Sequence, residues 1–135
     1  GIATGDLNND GYADIVIANR SYNSSQTDPL AQELGTPQVF LSHPRAGNWL
    51  QIDPVGTVSN KDGIGSLIRV DNGERPQLYI LGAGGETNSS SERLLTVGVG
   101  GASFVDIEVT FPSGRITALT AVATNQRIVV HEDAL

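Results

Sequence analysis

The sequence contains no cysteine and no methionine, only two histidines, and 5% aromatic residues. The lack of cysteine excludes disulfides, thiol catalysis and cysteine-ligated zinc, and two histidines offer little for an imidazole metal site. No apolar run approaches the roughly 20 residues that a membrane-spanning helix needs, so we expect no membrane insertion. Because methionine is absent, we expect the sequence to be a processed product or part of a longer chain.

Positive charge is also scarce. Eight basic residues stand against fifteen acidic ones, which gives a formal net charge of −7. A protein that neutralises nucleic-acid phosphates needs a surplus of basic residues, so we expect no nucleic-acid partner. The same deficit argues against binding to an anionic membrane surface.

What the sequence does contain is a series of short strand patterns separated by turn residues, among them 16 glycines and six prolines in 135 residues. Residues 105–111 alternate strictly between apolar and polar, which is typical of a strand with one buried face. Segment 115–123 stays open between strand and helix, because Ile116, Leu119 and Val122 are three apart. The remaining strand candidates are residues 15–17, 38–41, 49–55, 66–70, 77–81, 94–97 and 127–131. Together they predict an all-β protein with a small β-sandwich or barrel-like domain.

Two segments interrupt this pattern. Residues 20–37 are polar and predict a long surface loop, with a short helical turn at 30–34. Residues 42–47 include Pro44 and suggest a boundary. The sequence is therefore divided into an N-terminal piece, residues 1–45, and a β domain, residues 46–135.

The most informative segment is residues 6–14, Asp-Leu-Asn-Asn-Asp-Gly-Tyr-Ala-Asp, which we call the acidic loop. Oxygen-bearing side chains occur at its first, third, fifth and ninth positions, and Gly11 at the sixth allows a sharp turn. The seventh position offers the backbone carbonyl of Tyr12. Calcium takes six to eight oxygen ligands, so alternate oxygen donors in a tight loop suit it. The candidate calcium ligands are Asp6, Asn8, Asp10, Tyr12 and Asp14.

This loop matches only the first half of an EF-hand. The twelfth position, Ile17, cannot bind calcium, and the flanking residues are typical of strands. A calcium-binding β-hairpin therefore fits the sequence better. Magnesium is the weaker option because its shell is smaller and more rigid, and a turn rich in Asp and Asn without any ion is the alternative.

Residues 5–17 resemble an FG-GAP repeat of the VCBS type. The resemblance implies one blade segment of a β-propeller, with calcium held by the five residues named above. A propeller needs at least four blades, and this sequence holds at most part of one. Missing blades, a hairpin appended to the second domain, and strands from neighbouring chains are the three alternatives.

A second resemblance is carried by several short segments of the β domain: residues 48–50, 59–66, 97–100, 109–114 and 125–126, followed by Glu132. These segments resemble an ASPIC/UnbV domain, as found at the C-terminus of cartilage acidic protein and its bacterial homologues. The order of the two resemblances is that family's order, and it implies an extracellular or cell-surface protein.

Three smaller features have competing interpretations. Residues 59–65 predict a structured turn with glycines at positive φ, although Asn60 and Asp62 could contribute to a second ion site. Asn19, Asn23 and Asn88 fit the N-glycosylation pattern. His43 and His131 accompany no nucleophile motif, so we expect no catalytic residues and no enzyme activity.

The sequence thus predicts a non-enzymatic, calcium-binding, secreted module for adhesion or assembly, with calcium in a structural role. Its partners would be proteins or further copies of itself, contacted through strand edges and loops. The alternative is a carbohydrate-binding module with glycan partners. Seven aromatic residues are few for a sugar platform, which favours the first interpretation.

Overall fold

The computed structural model describes residues 1–19, 22–23, 32–33, 35–43, 46–83 and 89–133, and for 22–23 and 32–33 the backbone alone. Within these residues the chain forms twelve β-strands and no helix. The strands are Ile2–Gly5 (β1), Asp14–Ile17 (β2), Tyr22–Asn23 (β3), Gln32–Glu33 (β4), Gln38–Phe40 (β5), Asn48–Val55 (β6), Leu67–Asp71 (β7), Pro76–Ile80 (β8), Leu95–Gly100 (β9), Phe104–Thr110 (β10), Ile116–Ala123 (β11) and Gln126–His131 (β12). The prediction of an all-β protein is confirmed.

The N-terminal part forms a three-stranded antiparallel sheet in the order β1-β2-β5, which we call the hairpin sheet. The acidic loop connects β1 to β2. β3 and β4 pair with each other as a separate two-stranded ribbon. The helical turn expected at 30–34 is wrong at Gln32–Glu33, which are strand residues, and the rest of that segment lies outside the described residues.

The C-terminal part is a β-sandwich. One sheet has the order β11-β10-β7-β8, and the other has the order β12-β6-β9, with β12 parallel to β6. Buried side chains from both sheets form one core, which makes the two sheets the layers of a sandwich. In the described part of the chain, neither sheet closes into a barrel. The core consists of Leu50, Ile52, Ile68, Val70, Leu81, Val97, Val99, Val105, Ile107, Val109, Phe111 and Val130.

The strand that showed strict alternation behaves as the sequence predicts. In β10, Val105, Ile107 and Val109 are buried, while Asp106 and Glu108 are exposed. Because successive side chains of a strand point to opposite faces, one face fills the core and the other meets water.

The segment left open between strand and helix is a strand with a bulge. β11 pairs with β10, but Val105 pairs with Val122 and Ile107 pairs with Leu119, so β11 has one extra residue. Ala121 lies there at a φ of 52°. A bulge shifts the inward-facing period by one, which produced the helix-like spacing from Leu119 to Val122.

The segment at residues 59–65 is a structured turn, as expected. Gly63 and Gly65 have φ values of 61° and 92°. The Asn60 side chain closes the turn, since its Oδ1 accepts from Ile64 N and its Nδ2 donates to Ile64 O, both at 2.8 Å.

Candidate metal centre

The side chains of the acidic loop fold back onto the loop's own amides. Asp6 Oδ1 accepts from Asp10 N at 3.0 Å, and Asp6 Oδ2 accepts from Gly11 N at 2.8 Å. Asn8 Oδ1 also accepts from Asp10 N, at 3.2 Å, and Asp10 Oδ1 accepts from Tyr12 N at 2.9 Å. These short-range bonds bring Asp6, Asn8, Asp10 and the Tyr12 backbone into one tight turn.

The last candidate ligand, Asp14, lies at the base of the loop and is 1% exposed. Its Oδ2 accepts from Leu7 N at 2.9 Å, and its Oδ1 accepts from Ser42 N at 2.7 Å. Ser42 Oγ in turn donates to the carbonyl of Ala13. Asp14 therefore connects the start of the loop to the segment that follows β5.

The donor chemistry of the loop fits a hard cation, since every candidate ligand atom is oxygen. Among the residues that the structure describes, no three acidic or histidine side chains form a metal-holding group. A carboxylate has about four lone-pair sites. Asp6 accepts three hydrogen bonds and Asp10 and Asp14 accept two each, so each carboxylate retains a site for an ion. The amide bonds of Asp6, Asp10 and Asp14 are thus compatible with ion binding.

Gly11 is required at its position for two reasons. Its φ is 86°, which disfavours any side chain, and it is buried. A Cβ at this position would lie 2.0 Å from Cε2 of Trp49. The indole ring of Trp49, which lies on β6, therefore covers the backbone of the loop.

Two further residues of the sandwich contact the loop, and no motif in the sequence indicates them directly. Gln51 Nε2 donates to Asp6 Oδ2 at 2.7 Å, and Glu92 Oε2 accepts from Asp6 N at 2.9 Å. A weak signal existed in β6, where Leu50 and Ile52 face the core, which places Trp49 and Gln51 on the opposite face. A tryptophan on the outer face of a sheet indicates that something covers that face.

A small groove of about 370 Å³ lies beside the loop. Its walls include the two aromatic residues Tyr12 and Trp49, and glycines such as Gly98 and Gly100 line it too. Neither of these two glycines would meet another atom within 4 Å if it carried a Cβ. The groove is therefore open and mainly apolar.

A second groove, of about 390 Å³, lies at the end of β6 and carries both signs of charge. Arg127 pairs with Asp53 at 2.6 Å, and Arg93 pairs with Asp62. Asp62 is thus engaged with an arginine, and Asn60 closes its own turn. The groove offers no surplus of one charge to select a ligand.

Family models match two parts of the chain. An FG-GAP repeat matches residues 1–29, and the family described as ASPIC and UnbV matches residues 56–135. An FG-GAP repeat corresponds to a blade of a β-propeller and is typical of extracellular or surface proteins. No curated protein matches the chain.

Both resemblances found in the sequence are confirmed by these matches. In the part of the chain that is described, no helix is long and apolar enough to cross a membrane. The ASPIC and UnbV match covers more than half of the chain and contains the sandwich strands from β7 to β12. The protein therefore belongs to the ASPIC and UnbV family and carries an FG-GAP repeat in front of that domain.

Proposed function

We propose that this protein is a non-enzymatic, calcium-binding extracellular module for adhesion or assembly, in which calcium has a structural role. The observation that carries the proposal is the acidic loop, where oxygen donors at alternate positions are gathered by their own backbone amides. Calcium takes such ligands at about 2.3–2.6 Å. The ion would be held by Asp6, Asn8, Asp10, Asp14 and the Tyr12 carbonyl.

Charge supports this assignment. Asp6, Asp10 and Asp14 carry three negative charges within nine residues. Their mutual repulsion destabilises the folded loop, and a divalent cation offsets it. Sites of modest affinity are filled at the millimolar calcium concentrations found outside cells. This agrees with the surface location typical of FG-GAP repeats.

Calcium should therefore stabilise the protein measurably. A ligand that binds only the folded state at about 100 times its Kd adds about 2.7 kcal/mol to the free energy of unfolding. We expect the melting temperature to rise by several degrees in calcium relative to chelator. Asp10→Asn should reduce this shift. Asp133→Asn, which removes the same charge from an exposed residue outside the loop, should leave it intact; equal melting temperatures with calcium and chelator would contradict the proposal.

The hairpin sheet supports a role in association. Ile15 and Phe40 are cross-strand neighbours on one face, and Ile2 lies on the same face. All three are largely exposed, at 55% for Ile2, 41% for Ile15 and 51% for Phe40. Adjacent exposed apolar side chains of this kind mark a contact surface.

Because this face is apolar and exposed, we expect it to support self-association or the capture of a protein partner. Light scattering over a concentration series should show growth of the mean mass, and Phe40→Ser should reduce it. Phe104→Ser is the matched control, since Phe104 is 61% exposed on the sandwich. A monodisperse monomer at high concentration in calcium would count against self-association and leave a different protein as the partner.

Carbohydrate binding is the second candidate function, and the groove between Tyr12 and Trp49 favours it. Aromatic rings beside a calcium loop can stack on a sugar. Against it, Gly11 already covers part of the Trp49 ring. A glycan array with calcium present separates the two functions, because only a carbohydrate-binding module gives selective signals that Tyr12→Ala abolishes.

A further inference from the structure

We propose that strand β6 of the sandwich is part of the calcium site: Gln51 positions Asp6, and Trp49 closes over the loop, so that ion binding and docking of the hairpin on the sandwich are one coupled event. This inference rests on the proposed function, because it concerns the same ion. It goes further in assigning a positioning role to the second domain. The sandwich would then control how tightly the FG-GAP loop holds calcium.

The burial of Gln51 is the first support. Its neighbours Leu50 and Ile52 fill the core and are fully buried, so Gln51 lies on the opposite face of the sheet. It is nevertheless only 6% exposed. A buried side-chain amide requires a hydrogen-bond partner, because burying it without one removes it from water with no compensation. Its partner is Asp6 Oδ2 at 2.7 Å.

The two oxygens of Asp6 are consequently in different situations. Oδ2 accepts two hydrogen bonds, from Gly11 N and Gln51 Nε2, whereas Oδ1 accepts one, from Asp10 N. A carboxylate oxygen has about two lone-pair sites, so Oδ2 is fully used and Oδ1 retains one. Gln51 thereby orients the carboxylate so that Oδ1 is the atom free to bind an ion.

The backbone of Asp6 is held from the sandwich as well. Asp6 N donates to Glu92 Oε2 at 2.9 Å, and Glu92 N donates to the Thr4 carbonyl at 2.8 Å. The first ligand of the loop is therefore fixed at both its main chain and its side chain. Groups that orient metal ligands typically change metal affinity by about 10- to 100-fold when they are removed.

Trp49 provides a direct readout of the coupling. It is the single tryptophan of the chain, and its ring lies against Gly11 in the loop. Any change in the docking of the loop alters the environment of this one fluorophore. If calcium binding and docking are coupled, calcium must shift the emission of Trp49 to shorter wavelength.

The experiment is a calcium titration of the full 135-residue chain, followed by calorimetry and by Trp49 emission. Gln51→Leu removes the hydrogen bond, and Gln51→Asn keeps an amide that is one methylene too short to reach Asp6. Both should weaken calcium binding at least about 10-fold. Gln126→Leu is the matched control, since the Gln126 amide donates to a backbone carbonyl away from the loop. Circular dichroism checks that each variant is folded.

The outcomes separate the two proposals. Weakened binding in both Gln51 variants, an unchanged control and a calcium-dependent emission shift support the inference. Calcium binding that is equally tight in folded Gln51 variants, or a Trp49 emission that ignores calcium, overturns the inference and leaves the proposed function standing. If the unmodified chain binds no calcium, both proposals fail.

Discussion

At the scale of single residues, Glu132 shows how one buried carboxylate organises distant turns. It is 1% exposed. Its Oε2 accepts from the backbone amides of Thr57, Val58 and Ser59, and its Oε1 accepts from the hydroxyls of Ser59 and Ser113. Burial alone raises the pKa of Glu132, but these hydrogen bonds outweigh it and lower the pKa from 4.5 to about 2. The residue after β12 thus holds the turn that follows β6.

The lowered pKa predicts how stability depends on pH. A carboxylate whose pKa is lower in the folded state stabilises the protein above its unfolded pKa, and this contribution is lost as the pH falls through the folded pKa. The denaturant concentration at the unfolding midpoint of the unmodified protein should therefore decrease as the pH is lowered from 4.5 to about 2. Glu132→Gln should be less stable at pH 7, and its deficit should shrink across that interval. Glu108→Gln, an exposed carboxylate on β10, is the control; an equal deficit for Glu132→Gln at pH 7 and pH 2 would contradict the assignment.

At the scale of the secondary-structure elements, the sequence predicted those features that depend on residues close together in the chain. The alternation in β10 depends only on one buried face, and the turn at residues 59–65 depends on glycines at positive φ, such as Gly63 at 61°. The turn of the acidic loop also belongs to this group, because the hydrogen bonds within the loop join residues no more than seven positions apart.

Partners that are distant in sequence could not be predicted in this way. The contact of Gln51 with Asp6 spans 45 positions, and that of Glu92 with Asp6 spans 86. Nothing in the local sequence of β6 says which element covers its outer face. The bulge of β11 could not be predicted for a related reason, since it depends on the register against β10 and not on the residues of β11 alone.

The bulge makes a prediction of its own. Ala121 has a φ of 52°, a conformation that costs an L-residue roughly 1–2 kcal/mol. Glycine avoids this cost but loses about 0.5–1 kcal/mol of backbone entropy. Ala121→Gly should therefore raise the free energy of unfolding by about 0.5–1 kcal/mol, as measured by urea denaturation.

The control for the bulge lies three residues earlier in the same strand. Ala118 is also exposed, but it pairs regularly with Glu108. Ala118→Gly should lower the free energy of unfolding by about 0.5–1 kcal/mol, the opposite sign. If Ala121→Gly and Ala118→Gly both lower the free energy of unfolding, Ala121 carries no backbone strain.

At the scale of the whole molecule, the hairpin sheet and the sandwich are held together by a continuous set of contacts. Backbone bonding joins β1 to the segment before β9, where Glu92 N donates to Thr4 O at 2.8 Å. Thr4 N also donates to Ser91 Oγ at 3.2 Å. Trp49 completes the set by covering Gly11. Because these contacts cross from one sheet to the other, we expect the two parts to unfold together.

Gly11→Ala tests this coupling, with Gly73→Ala as its matched control. The two glycines have nearly the same φ, 86° and 84°, so both substitutions incur roughly 1–2 kcal/mol of backbone strain. A Cβ on Gly73 meets no atom within 4 Å, whereas one on Gly11 would lie 2.0 Å from the Trp49 ring. Gly11→Ala must therefore move the ring and separate the loop from β6.

The measurement is urea unfolding followed both by Trp49 emission and by far-ultraviolet circular dichroism. In the unmodified protein and in Gly73→Ala the two signals should change together, because docking and the sandwich fold are lost in one step. In Gly11→Ala the emission of the folded state should already be shifted to longer wavelength, and the loss of stability should exceed that of Gly73→Ala. Equal losses with unchanged emission would mean that Trp49 does not hold the loop, and docking of the hairpin sheet would then depend on the hydrogen bonds of β1, Gln51 and Glu92.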